Sequence, residues 1–165
     1  MNYTTSFIGS VNSESIRKFI TSVESLSDVD TLTININSTG GAVAPAIALY
    51  NFLKKCPYQI NTHNLSEVSS AAILFYLAGK VRTTEDVSKF MIHPISFDIH
   101  SNCKYYDLQE IIEGLTTDIQ NYASIVRDET ENLQNLYGDV EHYLKCESIH
   151  FDKQSAHRCN IVTQI

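Results

Sequence analysis

The stretch that most constrains this chain is a run of alternating residues that ends in a pair of glycines. Residues 32–37 alternate apolar or β-branched side chains with polar ones, and Ser-Thr-Gly-Gly follows at residues 38–41. Alternation predicts a β-strand, and the apolar spacing of residues 44–55 predicts a helix. The chain is therefore expected to run from a strand through the glycine pair into a helix. This arrangement leaves the backbone N–H groups at the helix N-terminus free to face an anion, because glycine has no Cβ to block a close approach.

A second strand-to-helix passage carries a serine where the first carries glycines. Residues 59–65 are strand-like, and the apolar run 71–78 predicts a helix ended by Gly79. Ser70 stands at the mouth of this helix, where the N–H of Ala71 and the helix dipole would stabilise a negative charge. Taken alone, such a serine is most simply a helix cap, since serine is favoured there.

A histidine follows a short strand further along the chain. Residues 88–92 predict a strand that Pro94 stops, so His93 should lie at the strand end. Alone, His93 is most simply a structural histidine, but with Ser70 it becomes a candidate general base. Active-site groups usually gather at the carboxyl ends of such strands, so we expect Gly41, Ser70 and His93 to converge on one space.

These segments resemble the proteolytic subunit of Clp protease, a serine peptidase whose repeated β-β-α fold is shared with the crotonase superfamily. The family's Asn-Ser-Pro-Gly-Gly turn is similar to residues 37–41, with threonine in place of proline. Its Ala-Ala-Ser helix start and later Leu-x-Ala-Gly resemble residues 68–70 and 77–79, and its Met-Ile-His-Gln-Pro segment resembles residues 91–94 without the glutamine. The spacing from the glycine pair to the serine fits the family without a gap, and the resemblance covers about residues 5–165.

The resemblance implies a fold and a reaction. The fold class is α/β, a Clp/crotonase-type spiral of β-β-α units with a mainly parallel sheet and a long protruding handle helix, in one domain of residues 1–165. The reaction is serine endopeptidase cleavage of peptides or unfolded proteins, without a cofactor. Ser70 would be the nucleophile and His93 the base, and the N–H groups of Gly41 and Ala71 would form the oxyanion hole.

The third member of the catalytic centre stays open. In the family an aspartate precedes a Phe-x-Ser-Ala segment, and the matching tail puts Ser148 at that position, next to Glu147. Serine cannot supply the charge that stabilises an imidazolium. Three interpretations remain: Glu147 or Asp152 orients His93, a Ser-His dyad works with Ser148 as hydrogen-bond acceptor, or the subunit is inactive. Residues 146–149 loosely resemble the Gly-Glu-Thr-Trp of phage and prophage Clp-like peptidases.

The resemblance also bears on assembly. Residues 107–129 are the longest helix candidate and correspond to the handle helix, whose far end is expected to pack on a neighbouring subunit of a homo-oligomeric ring. Residues 97–104 contain no glycine, although the family places a glycine-rich strand here that lines the substrate channel and joins two rings. An ATPase unfoldase partner is allowed by the resemblance but disfavoured by the short segment that precedes the first core strand.

Composition excludes several classes of protein. With 165 residues, 43% of them hydrophobic, the chain can bury one core, and a net charge of −7 argues against nucleic acid or an anionic membrane as the main partner. The four cysteines form no CxxC pair, no signal-like segment opens the chain, and no apolar run is long enough to span a bilayer, so we expect a cytoplasmic protein. The six histidines lack metal-ligand spacing, so we expect no metal.

Two other functions remain compatible with this fold. A crotonase-type enzyme acting on a CoA thioester would use the same backbone oxyanion donors with a carboxylate base, and the pairing of Ser70 with His93 disfavours it. A catalytically inactive scaffold or regulatory subunit, as in mixed Clp rings, is the nearer alternative.

Overall fold

The computed structural model describes residues 1–96 and 102–165, and strands alternate with helices through the first half of the chain. The elements of this half are β1 (Asn2–Ile8), α1 (Ser13–Glu24), β2 (Thr31–Ser38), α2 (Val43–Lys54), β3 (Gln59–Ser69), α3 (Ala72–Tyr76), β4 (Val81–Thr84) and β5 (Lys89–Ile92). The second half is mostly helical, and its elements are α4 (Tyr105–Glu129), α5 (Leu133–Tyr137), α6 (Val140–Lys145), β6 (Ile149–Phe151) and α7 (Lys153–Arg158).

The strands form one six-stranded, mostly parallel sheet in the order β1-β2-β3-β5-β6, with β4 also paired to β3. Only the β5–β6 pair is antiparallel among the pairs of the described residues. One edge of β3 serves two partners in succession, because residues 61–64 pair with β4 and residues 67–69 pair with β5. The end of β3 therefore lies beside the end of β5, and the predicted α/β class with a mainly parallel sheet is confirmed.

The core lies on one face of the sheet. In β2 every second residue is buried, and Leu32, Ile34 and Ile36 are completely enclosed. Phe7 of β1 contacts the rings of Phe19 in α1 and Phe75 in α3 edge to face, with centroids 5.6 and 5.0 Å apart. The sheet and its helices thus share one apolar cluster, which fixes where the strand ends emerge.

The predicted bounds differ from the structure at β3 and α3. We expected a strand ending near residue 65 and a helix over 71–78, but β3 continues to Ser69 because residues 67–69 pair with β5. The helix is shorter, residues 72–76. Gly79 is needed for close packing and not for a left-handed helix cap. A Cβ at this position would lie 2.3 Å from Thr62 Oγ1, so glycine lets the chain pack closely on β3.

The long helix α4 has 25 residues, and only its last third is buried, through Tyr122, Ala123 and Val126. Tyr105 at its start is 81% exposed and Ile112 is 60% exposed, so the first part projects from the core. The predicted long protruding helix is confirmed. It starts two residues before the predicted residue 107.

The C-terminal segment contains one strand that the sequence did not predict. β6 has three residues and pairs with β5, a length too short to leave a periodic pattern. In the same part of the chain Asp152 caps α7, Gly138 separates α5 from α6, and Asn160 adopts a left-handed φ of 62°.

A buried arginine ties this segment to the sheet. Arg82 of β4 is 4% exposed, and its guanidinium donates to backbone carbonyls at the end of α3, the end of α4 and the C-terminal segment. The acceptors are Leu77, Gly79, Glu129, Asn160 and Ile161.

The segment expected to line a substrate channel, residues 97–104, falls largely outside the described residues, since 97–101 are among those not described. In the parts of the chain that are described, no helix has both the length and the apolar character that a membrane crossing needs.

Candidate active site

Ser70 occupies a sharp turn between β3 and α3. Its φ is 54°, a left-handed conformation that costs a residue with a side chain about 1–2 kcal/mol. Its N–H donates to the carbonyl of Met91 over 2.7 Å, and its carbonyl accepts from the N–H of Ile73 over 3.0 Å. The capping position of α3 is Ala71, and no side chain caps that end of the helix. Ser70 is therefore held by its backbone, and its hydroxyl is not engaged as a helix cap.

The glycine pair packs directly against this serine. A Cβ on Gly40, whose φ is 94°, would lie 2.6 Å from Ser70 Cβ and 2.7 Å from the carbonyl oxygen of Ser69. Gly41, with a φ of 147°, forms a bridge with Val11, whose carbonyl a Cβ would meet at 2.2 Å. Only glycine fits both positions without displacement, and the loop is thereby fixed beside Ser70.

His93 follows the last residue of β5 and is half-buried. Its Nδ1 lies 2.9 Å from the carbonyl oxygen of Pro94. A carbonyl oxygen can only accept, so a neutral His93 carries its proton on Nδ1 and leaves Nε2 as an acceptor. This is the tautomer that a general base requires.

One pocket of about 540 Å³ brings together three of the predicted site residues, Gly41, Ser70 and His93. Its lining comprises Ser10, Thr39, Gly40, Gly41, Ala42, Val43, Ser70, His93, Ile95 and Ser96. Ser70, His93 and Gly41 are thus neighbours, as expected, whereas Ala71 is fully buried and is not one of the lining residues. A groove of similar volume, about 520 Å³, runs between α1 and α2 and is lined without a histidine.

Two backbone donors lie close to Ser70 in the chain or in the pocket: Gly41 lines the pocket, and Ala71 is the residue that follows Ser70. In the described residues neither the N–H of Gly41 nor that of Ala71 takes part in a backbone hydrogen bond. Unpaired N–H groups beside a nucleophile are what an oxyanion hole needs. Among the described residues that line the pocket there is no Asp, Glu, Lys or Arg, and their polar groups are hydroxyls, backbone and the imidazole.

The three candidates for a third member have different surroundings. The pairing of Ile92 with Ile149 in the β5–β6 ladder puts Ser148 next in register with His93, although Ser148 itself is exposed. The carboxylate of Glu147 bonds His142 Nε2 at 2.9 Å.

The remaining candidate, Asp152, accepts from the N–H of Ser155 at 2.8 Å as the cap of α7. Among the described residues, no carboxylate hydrogen bonds to His93. The partner of Nδ1 that sequence reasoning missed is the Pro94 carbonyl, and a main-chain acceptor leaves no signal in the sequence. No cluster of three metal-ligating side chains occurs in residues 1–96 and 102–165.

The fold and this pocket define an α/β protein of the Clp type, with a sheet of mostly parallel strands, a projecting helix and a serine, a histidine and a glycine turn at the strand ends. The family model for Clp protease matches residues 4–144. The chain therefore belongs to the Clp protease family, a family of peptidases, and the resemblance inferred from sequence is confirmed. The match includes Ser70 and His93 and ends before Ser148. A search of curated proteins returned no match.

Proposed function

We propose that this protein is a serine endopeptidase whose nucleophile is Ser70 and whose general base is His93. The observation that carries the proposal is their shared pocket, in which a constrained serine lies beside a glycine turn and a histidine whose Nδ1 is paired with the Pro94 carbonyl. Membership of a peptidase family supplies the reaction class.

The reaction proceeds in two halves. Ser70 Oγ attacks the carbonyl carbon of the scissile peptide while His93 Nε2 takes the hydroxyl proton, and the N–H groups of Gly41 and Ala71 bind the resulting oxyanion. His93 then protonates the leaving amine as the C–N bond breaks. Water, deprotonated by His93, attacks the acyl-enzyme, and collapse of the second tetrahedral intermediate releases the acid and restores Ser70.

The third position is filled by a neutral acceptor in this proposal. The Pro94 carbonyl orients the ring of His93 and selects its tautomer, but it adds no negative charge to stabilise the imidazolium. Loss of the carboxylate in an enzyme built around one costs up to about 10⁴-fold in kcat. We therefore expect a slow Ser-His centre, with Ser148 as the residue in register with His93.

The substrate class follows from the lining of the pocket. The described residues of the lining offer hydroxyl and apolar groups and no fixed charge, which suits an extended peptide backbone better than a charged metabolite. We infer peptides or unfolded proteins as substrates. A ring-forming homo-oligomer and a cytoplasmic setting belong to the same proposal, on the family's pattern.

A catalytically silent Clp-like subunit is the second candidate. One observation favours it: among the described residues His93 has no carboxylate partner, so the base is weaker than in an acid-bearing triad. The two candidates predict opposite results in a degradation assay.

The test compares degradation of fluorescent casein by wild type, S70A and S69A. Ser69 is the matched control, because it is the adjacent serine, fully buried, with its hydroxyl donated to Glu67 at 2.8 Å. Wild type and S69A should degrade casein and S70A should not. Equal degradation by S70A and wild type would contradict the proposal. No degradation by wild type, with no acylation by a fluorophosphonate, would establish the silent subunit.

A further inference from the structure

The carbonyl of the proposed nucleophile receives a hydrogen bond from the long helix. The hydroxyl of Tyr122 in α4 donates to the carbonyl oxygen of Ser70 over 2.8 Å. The Tyr122 ring is 1% exposed, and burial raises the pKa of Tyr122, which keeps the phenol protonated as a donor. This contact spans 52 positions of sequence.

The acceptor carbonyl belongs to the peptide unit that also carries the N–H of Ala71. A peptide unit is planar and trans, so its C=O and N–H point in opposite directions and turn together. A donor that fixes the Ser70 carbonyl therefore fixes the direction of the Ala71 N–H. It also polarises that N–H, since linked hydrogen bonds strengthen one another by about 10–30%.

This peptide unit needs an anchor. Ser70 is in a strained left-handed conformation, and α3 has only five residues, so the local helix holds the unit weakly. Ile73 supplies one N–H to the same carbonyl, and Tyr122 supplies the second donor, from an element packed against the turn.

We propose that Tyr122 is a positioning residue for the oxyanion hole: its hydroxyl holds the Ser70–Ala71 peptide unit so that the Ala71 N–H faces the oxyanion. The inference rests on the proposed function. Tyr122 touches neither the substrate nor the reacting atoms, and it acts on the reaction through the backbone of Ser70.

The test compares Y122F with Y76F. Tyr76 is the matched control, because it is also fully buried and its hydroxyl donates to a backbone carbonyl, that of Thr83, at 3.0 Å. Each variant loses one phenol-to-carbonyl bond. Y122F should slow fluorophosphonate labelling and lower kcat by about 10-fold or more with KM unchanged, because the loss is confined to the transition state. Y76F should stay within about 3-fold of wild type.

A peptide boronate gives a readout that a purely structural role would not move. The boronate forms a tetrahedral adduct on the serine and occupies the oxyanion hole, so Y122F should weaken its binding by the same factor as kcat. Y76F should bind the boronate as tightly as wild type, even where Y76F and Y122F lower the melting temperature equally. A second variant, with Tyr122 replaced by 4-aminophenylalanine, restores an N–H donor and should label within about 3-fold of Y76F.

Three results would overturn the inference. Equal labelling rates for Y122F and Y76F would remove the positioning role while leaving the peptidase intact. The positioning role would also be removed if the 4-aminophenylalanine variant kept the wild-type melting temperature but reacted with the fluorophosphonate 10-fold more slowly than Y76F. Absence of labelling in wild type would overturn both the proposed function and the role of Tyr122.

Discussion

His93 Nδ1 is paired with the carbonyl oxygen of Pro94, the next residue in the chain, at 2.9 Å. The histidine at the end of β5 is therefore oriented by its own backbone. A neutral acceptor holds the ring and the tautomer but leaves the developing imidazolium without a counter-charge. The rate of the proposed reaction should accordingly respond to a charge placed opposite His93.

Replacing Ser148 with aspartate should raise kcat/KM for peptide hydrolysis by about 10-fold or more. Continued one pair beyond Ile92–Ile149, the β5–β6 register would set residue 148 opposite His93, and directly opposite residues in an antiparallel pair carry side chains on the same face. The new carboxylate would stabilise the imidazolium that forms during the reaction. Initial rates of peptide hydrolysis by wild type and S148D measure the effect.

The matched control for this change is S148N, which has nearly the same shape without the charge. S148N should leave kcat/KM close to the wild-type value. If S148D is no faster than S148N, Ser148 does not face the imidazole and the register does not extend to this pair.

Replacing Gly40 with alanine should damage the site and the fold together. The new Cβ would meet Ser70 Cβ at 2.6 Å in a backbone conformation with φ of 94°. We expect a loss of about 1–3 kcal/mol in the free energy of unfolding and at least a 10-fold slower fluorophosphonate reaction. Urea denaturation and labelling rates measure the two effects.

Gly114 provides the comparison for G40A. It lies in the exposed part of α4, and a Cβ there meets nothing within 4 Å. G114A should be neutral or stabilising by up to about 1 kcal/mol, with unchanged labelling. A stable, fully reactive G40A protein would show that the glycine turn does not press on Ser70.

Removing the buried Arg82 side chain should be strongly destabilising. R82A leaves five backbone carbonyls without their guanidinium donor. The expected loss is about 3–5 kcal/mol in the free energy of unfolding, the range for breaking a buried charged network. R127A, which removes a more exposed arginine paired with Asp139 and Glu141, should cost no more than about 1 kcal/mol. Comparable losses for both variants would contradict the assigned role of Arg82.

The cap of α7 should make stability depend on pH. Two hydrogen bonds lower the pKa of Asp152 below its ordinary value, the larger effect coming from the Ser155 side chain and the smaller from the Ser155 N–H. The folded state therefore favours the charged carboxylate. The contribution of this carboxylate to the free energy of unfolding is present above the pKa that Asp152 has in the unfolded chain, and it is lost as the pH falls through the pKa of the folded protein. D152A should cost about 1 kcal/mol near neutral pH, with the difference disappearing in acid. A difference that is constant from neutral pH to the acid range would contradict the cap assignment.

Much of the fold could be predicted from sequence because its signals are local. Alternation in β2, the apolar spacing of α2 and the helical spacing of α4 each lie within one element. β6 and the extension of β3 could not be predicted in this way, because both are produced by pairing with β5, which is distant in sequence.

The candidate site also has a part that local sequence signals predict and a part that they do not. Ser70, His93 and Gly41 could be proposed because each stands where a predicted strand ends. The contacts of Pro94 with His93 and of Tyr122 with Ser70 use main-chain carbonyls, which carry no residue-type signal. The third position stays open in the sequence for a different reason: the residue at the matching position is Ser148, which carries no charge.

The central claim is that Ser70 is the residue that reacts, and one measurement tests it directly. Wild-type protein is treated with a fluorophosphonate, digested, and the modified peptide is sequenced by mass spectrometry. The account predicts a single adduct on Ser70 that is lost in S70A and much reduced in a variant with glutamine in place of His93. An adduct on another residue, or the same labelling after S70A, would contradict it.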